Sequence, residues 1–175
     1  MVRDMIRDNM PGYKTATAKA FVAHWFALPR EGPIPTLAAF LDRPVPSFQP
    51  RVALAEIISD TDVRYRLVGT ELVDGFGERT GHNILEIAAP ALRPELVAIF
   101  RRVVSEPCGY RALIEALTNQ KREITFETVL FPLSRPAAPP VIVGCNETLR
   151  ELQRDEALVR FERAVESNWI ELAGS

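Results

Sequence analysis

Apolar and polar positions change period several times along the chain, and each change predicts an element. Over residues 15–28, Phe21 and Trp25 stand four apart, as do Val22 and Phe26, which is the spacing of adjoining parts of one helical face. Pro29, Pro33 and Pro35 end that helix, because proline has no amide hydrogen to continue the ladder. A shorter helix is predicted over Leu37–Leu41, stopping before Pro44. Residues 44–50 read as an ordered connector, since they hold no Gly/Ser tract.

Strand-like patterns follow. Residues 51–58 are rich in aliphatics, and residues 63–68 alternate, with Val63, Tyr65 and Leu67 on one side and Arg64 and Arg66 on the other. Ser59, Asp60, Thr61 and Asp62 between them supply turn chemistry, which predicts a hairpin with one wet face. Gly69, Gly75, Gly77 and Gly81 then interrupt the chain, so only helices of one or two turns fit residues 70–87. A longer helix is predicted over residues 91–105, with Leu92, Leu96, Ile99, Phe100 and Val103 as its apolar stripe. Strands are predicted at 110–117, 123–133 and 141–146, and a helical tail at 151–167 with Leu158, Phe161 and Val165 along one side.

This order predicts an α+β fold: five strands in one antiparallel sheet, with the helices gathered over one face. The expected divisions are an N-terminal tail at 1–14, an N-terminal helical flank at 15–50, a core at 51–147 and a C-terminal helical tail at 148–175. A hollow between a curved sheet and a broken helical cover is a common place for a small ligand.

Composition narrows the function. The 175 residues are 47% hydrophobic and 25% charged, ordinary values for one globular domain. The 21 basic and 23 acidic residues give a net charge of −2, which argues against nucleic acid as a partner. No stretch approaches the roughly 20 apolar residues needed to cross a bilayer. Met1 to Gly12 hold no apolar run of the signal-peptide kind, so a cytoplasmic location with no membrane contact is expected.

Chemistry-bearing residues are sparse. Cys108 and Cys145 lie far apart and form no CxxC pair, so no metal site is expected. Cys145 keeps period two with Val141 and Val143 and reads as a small core residue. His24 and His82 are the only histidines, too few for a triad or a multi-histidine metal centre. His82 could face the pocket, although a loop histidine bonded to nearby backbone is the simpler reading. Glu123 and Glu127 alternate with Ile124 and Phe126, which reads as a solvated strand face. Tyr65, Phe76, Phe100, Tyr110 and Phe126 come from different elements that should converge on the helix side of the sheet. With His82, Leu85 and Cys145 they form the candidate pocket set. Aromatic walls of this kind build a ligand cavity and also a filled core, and both readings stand. Phe21, Val22, Trp25 and Phe26 must bury against something, either their own sheet or a second copy, and they are the candidate dimer or partner surface.

At residues 64–72 the passage Arg-Tyr-Arg-Leu-Val-Gly-Thr-Glu-Leu resembles a PAS domain, and specifically a compact bacterial subfamily of single PAS proteins. The similarity continues through residues 76–84, Phe-Gly-Glu-Arg-Thr-Gly-His-Asn-Ile. Upstream, Trp25 followed by Pro35 and Pro44 is similar to the subfamily's N-terminal stretch. The resemblance implies a PAS-like sheet of strand order 2-1-5-4-3 with a pocket between sheet and helices. It implies a non-enzymatic sensor that binds a small ligand or a partner protein, with its output passed to a separate signalling protein. Haem is not expected, because haem-binding PAS proteins usually carry their ligand on the long helix, and residues 91–105 hold no histidine. Flavin is not expected either, since the Asn-Cys-Arg-Phe-Leu-Gln passage of the light-sensing members is absent. A ligand-free adaptor is the alternative, and a small isomerase or hydrolase on an α+β cone is a more distant one.

Overall fold

The computed structural model describes residues 12–172. Of the tail expected at 1–14, only Gly12, Tyr13 and Lys14 fall inside that range. Helix α1 (Ala16–Ala27) starts at Thr15, whose side chain accepts from the Ala18 amide at 3.1 Å. It stops at Leu28, which is extended because Pro29 follows. Helix α2 (Leu37–Leu41) is capped likewise by Thr36, which accepts from the Ala39 amide. A 3-10 turn (Gln49–Arg51) leads into strands β1 (Val52–Ser59) and β2 (Asp62–Val68). Helix α3 (Thr70–Phe76) ends at Gly77, whose φ of 78° suits glycine alone. After a 3-10 turn (Ile84–Ile87) comes α4 (Arg93–Ser105), then β3 (Gly109–Thr118), β4 (Glu123–Arg135), β5 (Ala138–Thr148) and β6 (Leu158–Ile170).

The fold class is α+β, as the alternating patterns predict, with one sheet whose neighbouring strands pair antiparallel. The order among the described residues is β2-β1-β5-β4-β3-β6. The 2-1-5-4-3 order is therefore embedded in a sheet with one more strand. That strand replaces the helical tail expected at 151–167, and the cause lies in its register. Three times along β6 an extra residue is inserted opposite β3: Val159, Glu162 and Val165. Thr118, Ala116, Ile114 and Ala112, two apart on β3, consequently pair with Leu158, Phe161, Ala164 and Ser167, three apart on β6. Bulged pairing thus gives a strand the apolar spacing of a helix.

A bulge also corrects the hairpin. Leu54 pairs with Leu67 and Ala55 with Tyr65, so Arg66 is the extra residue. Tyr65 and Leu67 therefore serve opposite faces rather than the shared one that strict alternation predicts, and Leu67 packs with the cluster under α1.

Helices cover both faces of the sheet, not one. Helices α3 and α4 lie over the face that carries Ala55, Ile114, Phe126 and Ile142. Helices α1 and α2 lie over the face that carries Val129, Phe131, Val143 and Cys145. Phe21, Val22 and Trp25 are buried in that second cluster, with Phe26 partly buried against it. The candidate dimer surface is thus used up within the chain, because the apolar outer face of β4 and β5 needs a cover of its own. Trp25 stacks on Phe131 at 4.3 Å between ring centroids and donates its indole N–H to the Pro132 carbonyl.

The same cover explains Glu127, which is 1% exposed rather than on a wet face. Its carboxylate accepts from the Lys14 amide, the Thr15 amide and the Thr15 hydroxyl, and it pairs with the fully buried Arg111 at 2.7 Å. Arg111 also pairs with Glu166 of β6. One buried carboxylate therefore ties the start of α1 to the sheet.

His24 sits between Phe40 and Phe48, and its Nε2 is buried with no hydrogen-bond partner. Burial, and then the charge of Arg43, pull its pKa below the ordinary 6.5. The fold favours the neutral ring, so this contribution is complete above pH 6.5 and is lost as pH falls through the depressed value. Carboxylates such as Glu56, lowered first by its hydrogen bond from Arg135, follow the same sign but act only below 4.5. Melting temperature is expected to start falling below pH 6.5 in the wild type, and His24→Phe should remove that first stage while keeping the later one. Identical profiles from thermal denaturation across pH would refute the assignment.

Candidate functional site

A cavity of about 90 Å³ lies between the sheet and helices α3 and α4. It exists because the central strands carry small residues there: Ala53 and Ala55 on β1, and Gly144 on β5. A Cβ on Gly144 would come within 2.9 Å of the Leu130 Cδ2, so this glycine keeps the floor low. Helix α4 supplies Leu96, Ile99 and Phe100 from above, and β3 and β4 supply Tyr110, Ile114 and Phe126 from the side.

Of the expected pocket set, Tyr65, Phe76, Phe100, Tyr110 and Phe126 line this cavity. Leu85 is buried in the adjoining core without reaching it, and its neighbour Ile84 takes the lining position. His82 is exposed; its backbone carbonyl accepts from the Tyr65 amide, which turns the loop against β2 and leaves the ring outside. Cys145 is on the opposite face under α1, because Ile142, Gly144 and Asn146 hold the cavity-side positions of β5. Burial pushes its thiol up to about 12, consistent with a core residue and not a reactive one. Burial likewise raises Cys108.

Several lining residues escape the aromatic pattern. Ala53, Ala55 and Gly144 were legible only as smallness at period two on strands, a signal easily taken for plain core. Thr128 and Asn146 pair across β4 and β5 and give the floor two polar groups. Arg79 enters from the loop after α3; its Nε donates to the Phe76 carbonyl at 3.0 Å. Tyr65 faces the same space, its phenol pushed well above the ordinary range by burial, with the charge of Arg79 acting the other way.

One wall is a triangle of rings. Phe76 meets Phe126 at 6.0 Å and Phe161 at 5.6 Å, both edge-on, and Phe126 meets Phe161 at 5.2 Å. Behind it runs an open groove between α3 and the connection from β5 to β6, lined mostly by polar residues such as Glu71, Asp74, Glu147 and Arg150. Leu72, Phe76, Phe126 and Asn146 border both spaces. Phe161 comes from the part of β6 read as helix, so its part in the site was hidden with it; Trp169, which meets Tyr110 at 4.9 Å, lies just beyond that stretch on the same strand.

Among the described residues no group of three or more His, Cys, Asp or Glu side chains is placed to hold a metal ion. No helix among them is long and apolar enough to cross a membrane. What the arrangement offers is an apolar space with a few polar groups at its margin, the construction of a binding site.

Comparison with curated proteins gives no match. The family model described as PAS domain matches residues 13–146, which spans α1, both hairpin strands, the helical cover and β3 to β5. That match takes in more than half of the chain and every element that roofs the cavity, and the chain belongs to the PAS domain family.

Proposed function

We propose that this chain is a cytoplasmic, non-enzymatic sensor whose cavity takes up a small molecule and reports its presence to another protein. The PAS family is generally one of sensory and regulatory modules, and the family membership supports that much. The observation that carries the finer reading is the cavity itself, bounded by α3, α4 and every strand of the sheet. A ligand that favours one placement of the ring triangle would change the groove behind it, since the same side chains border both. Such coupling requires unequal binding to the two placements. Association with a second copy, or with a separate signalling protein, completes the reading; it would use surfaces other than Phe21, Val22 and Trp25.

A ligand-free adaptor is the second reading, and the cavity's size favours it. About 90 Å³ is well below the several hundred of an ordinary ligand pocket. Native mass spectrometry of freshly purified protein separates the two. The sensor reading expects a bound mass that Gly144→Ala removes, because the new methyl drives Leu130 into the space. That substitution should cost no more than about 1–3 kcal/mol, a typical overpacking penalty. A wild-type protein that carries nothing, and binds nothing when small molecules are added, would leave the adaptor standing.

A further inference from the structure

The polar groups at the cavity are uneven in sign. Arg79 is the one lining residue with a full charge, and neither Asp nor Glu lines the space. Among the described residues no carboxylate lies within ion-pair distance of its guanidinium. The hydrogen bond from its Nε to the Phe76 carbonyl holds one edge of the fork and leaves the terminal amino groups for another acceptor. The Tyr65 hydroxyl likewise has no hydrogen-bond partner among the described residues.

The two groups are also held in fixed relation. The Gly81 amide donates to the Tyr65 carbonyl at 2.8 Å, and the Tyr65 amide donates to the His82 carbonyl at 3.1 Å. The His82 amide in turn donates to the Arg79 carbonyl at 2.9 Å. This ladder binds the Arg79 loop to β2 at the residue that carries the phenol. A half-buried fork and a phenol, both lining an apolar space, form a ready donor site for one anionic oxygen pair. Apart from Thr128 and Asn146 at the floor, the rest of the lining, including Val68, Leu72, Ile99 and Ile142, suits hydrocarbon.

We propose that the cavity binds a small aliphatic monocarboxylate, its carboxylate on Arg79 and Tyr65 at the margin and its alkyl group in the apolar interior. This rests on the sensor reading above and names the ligand class. Size follows from volume. A cavity of about 150 Å³ admits benzene, so about 90 Å³ holds an alkyl part of roughly two to four carbons. Phosphate and sulfate are excluded by the cost of placing a strongly hydrated dianion against hydrocarbon.

The test is an NMR titration of the full chain, read at the methyl groups of Ile99 and Ile142, with sodium isobutyrate, isobutyramide, isobutanol and sodium octanoate. Isobutyrate is expected to bind at least tenfold more tightly than the isosteric amide, and more tightly than octanoate. Arg79→Met should weaken isobutyrate roughly 10- to 150-fold, with Tyr65→Phe weakening it about fivefold. Arg79→Lys keeps the charge without the fork and should fall between wild type and Arg79→Met; it also serves if the methionine variant folds poorly. Equal binding of acid and amide, preference for octanoate, or an affinity indifferent to Arg79 would overturn the carboxylate assignment. If isobutanol still enters in that case, the sensory cavity survives without it. If none of the four compounds perturbs the methyl groups, both fall together.

Discussion

Glu127→Ala is expected to lower the free energy of unfolding by about 3–5 kcal/mol, the cost of leaving a buried charge without its partner. Arg111 is fully buried, and Glu127 is the equally buried group facing it. Of its other partners, Glu166 has a half-exposed side chain and Gly12 offers a neutral carbonyl at 3.5 Å. The loss is double, because the Lys14 and Thr15 amides at the start of α1 would also lose their acceptor. Glu127→Gln preserves volume and part of the hydrogen bonding, and should cost less. Replacing both partners, as Arg111→Met with Glu127→Met, should recover part of the deficit, since a well-packed apolar pair can stand in for a buried ion pair. Urea denaturation measures all of these. An alanine variant within about 1 kcal/mol of wild type would show that the pair is not the anchor the geometry makes it.

Trp25→Ala is expected to cost a similar amount, about 3–5 kcal/mol, for a different reason. The side chain is 0% exposed, stacked on Phe131, bonded to the Pro132 carbonyl, and covered on its ring face by Arg30 at 4.5 Å. Its removal opens a void no neighbour can fill and strips the indole's partner of a donor. Hydrogen exchange should show faster opening of α1 and of the β4 segment beneath it, while resonances lining the cavity stay in place. Exchange that rises uniformly would mean α1 is not a separately anchored layer. Because this helix covers its own sheet, the substitution should act on stability, and self-association at fixed concentration should change only as far as folding does.

The sequence was most readable where one side chain period matched one environment. Helix α1 and the α4 stripe follow from the spacing of their apolar residues, and Tyr65, Phe76, Phe100, Tyr110 and Phe126, drawn from different elements, line one space. Legibility failed where two causes give one pattern. In β6, inserted residues turned a period of two into a period of three, and Leu158 and Phe161 then looked helical. At Glu127, alternation told which face the carboxylate joins but not that α1 covers that face. Arg79 was hidden for another reason: a lone arginine in a glycine-rich loop has no periodic context, and only the fold brings it to a cavity that no acid lines.

Strand β6 gives the chain a late step in its assembly. On the ribosome, β3, β4 and β5 emerge as successive neighbours and can pair as soon as they appear, whereas the flank of β3 waits until residue 170 has cleared the exit tunnel. Until then a row of free amides and carbonyls runs beside Tyr110 and Ile114. The nascent domain must remain shielded from neighbouring chains through that interval, and the cavity lacks the wall that Phe161 supplies until the interval ends.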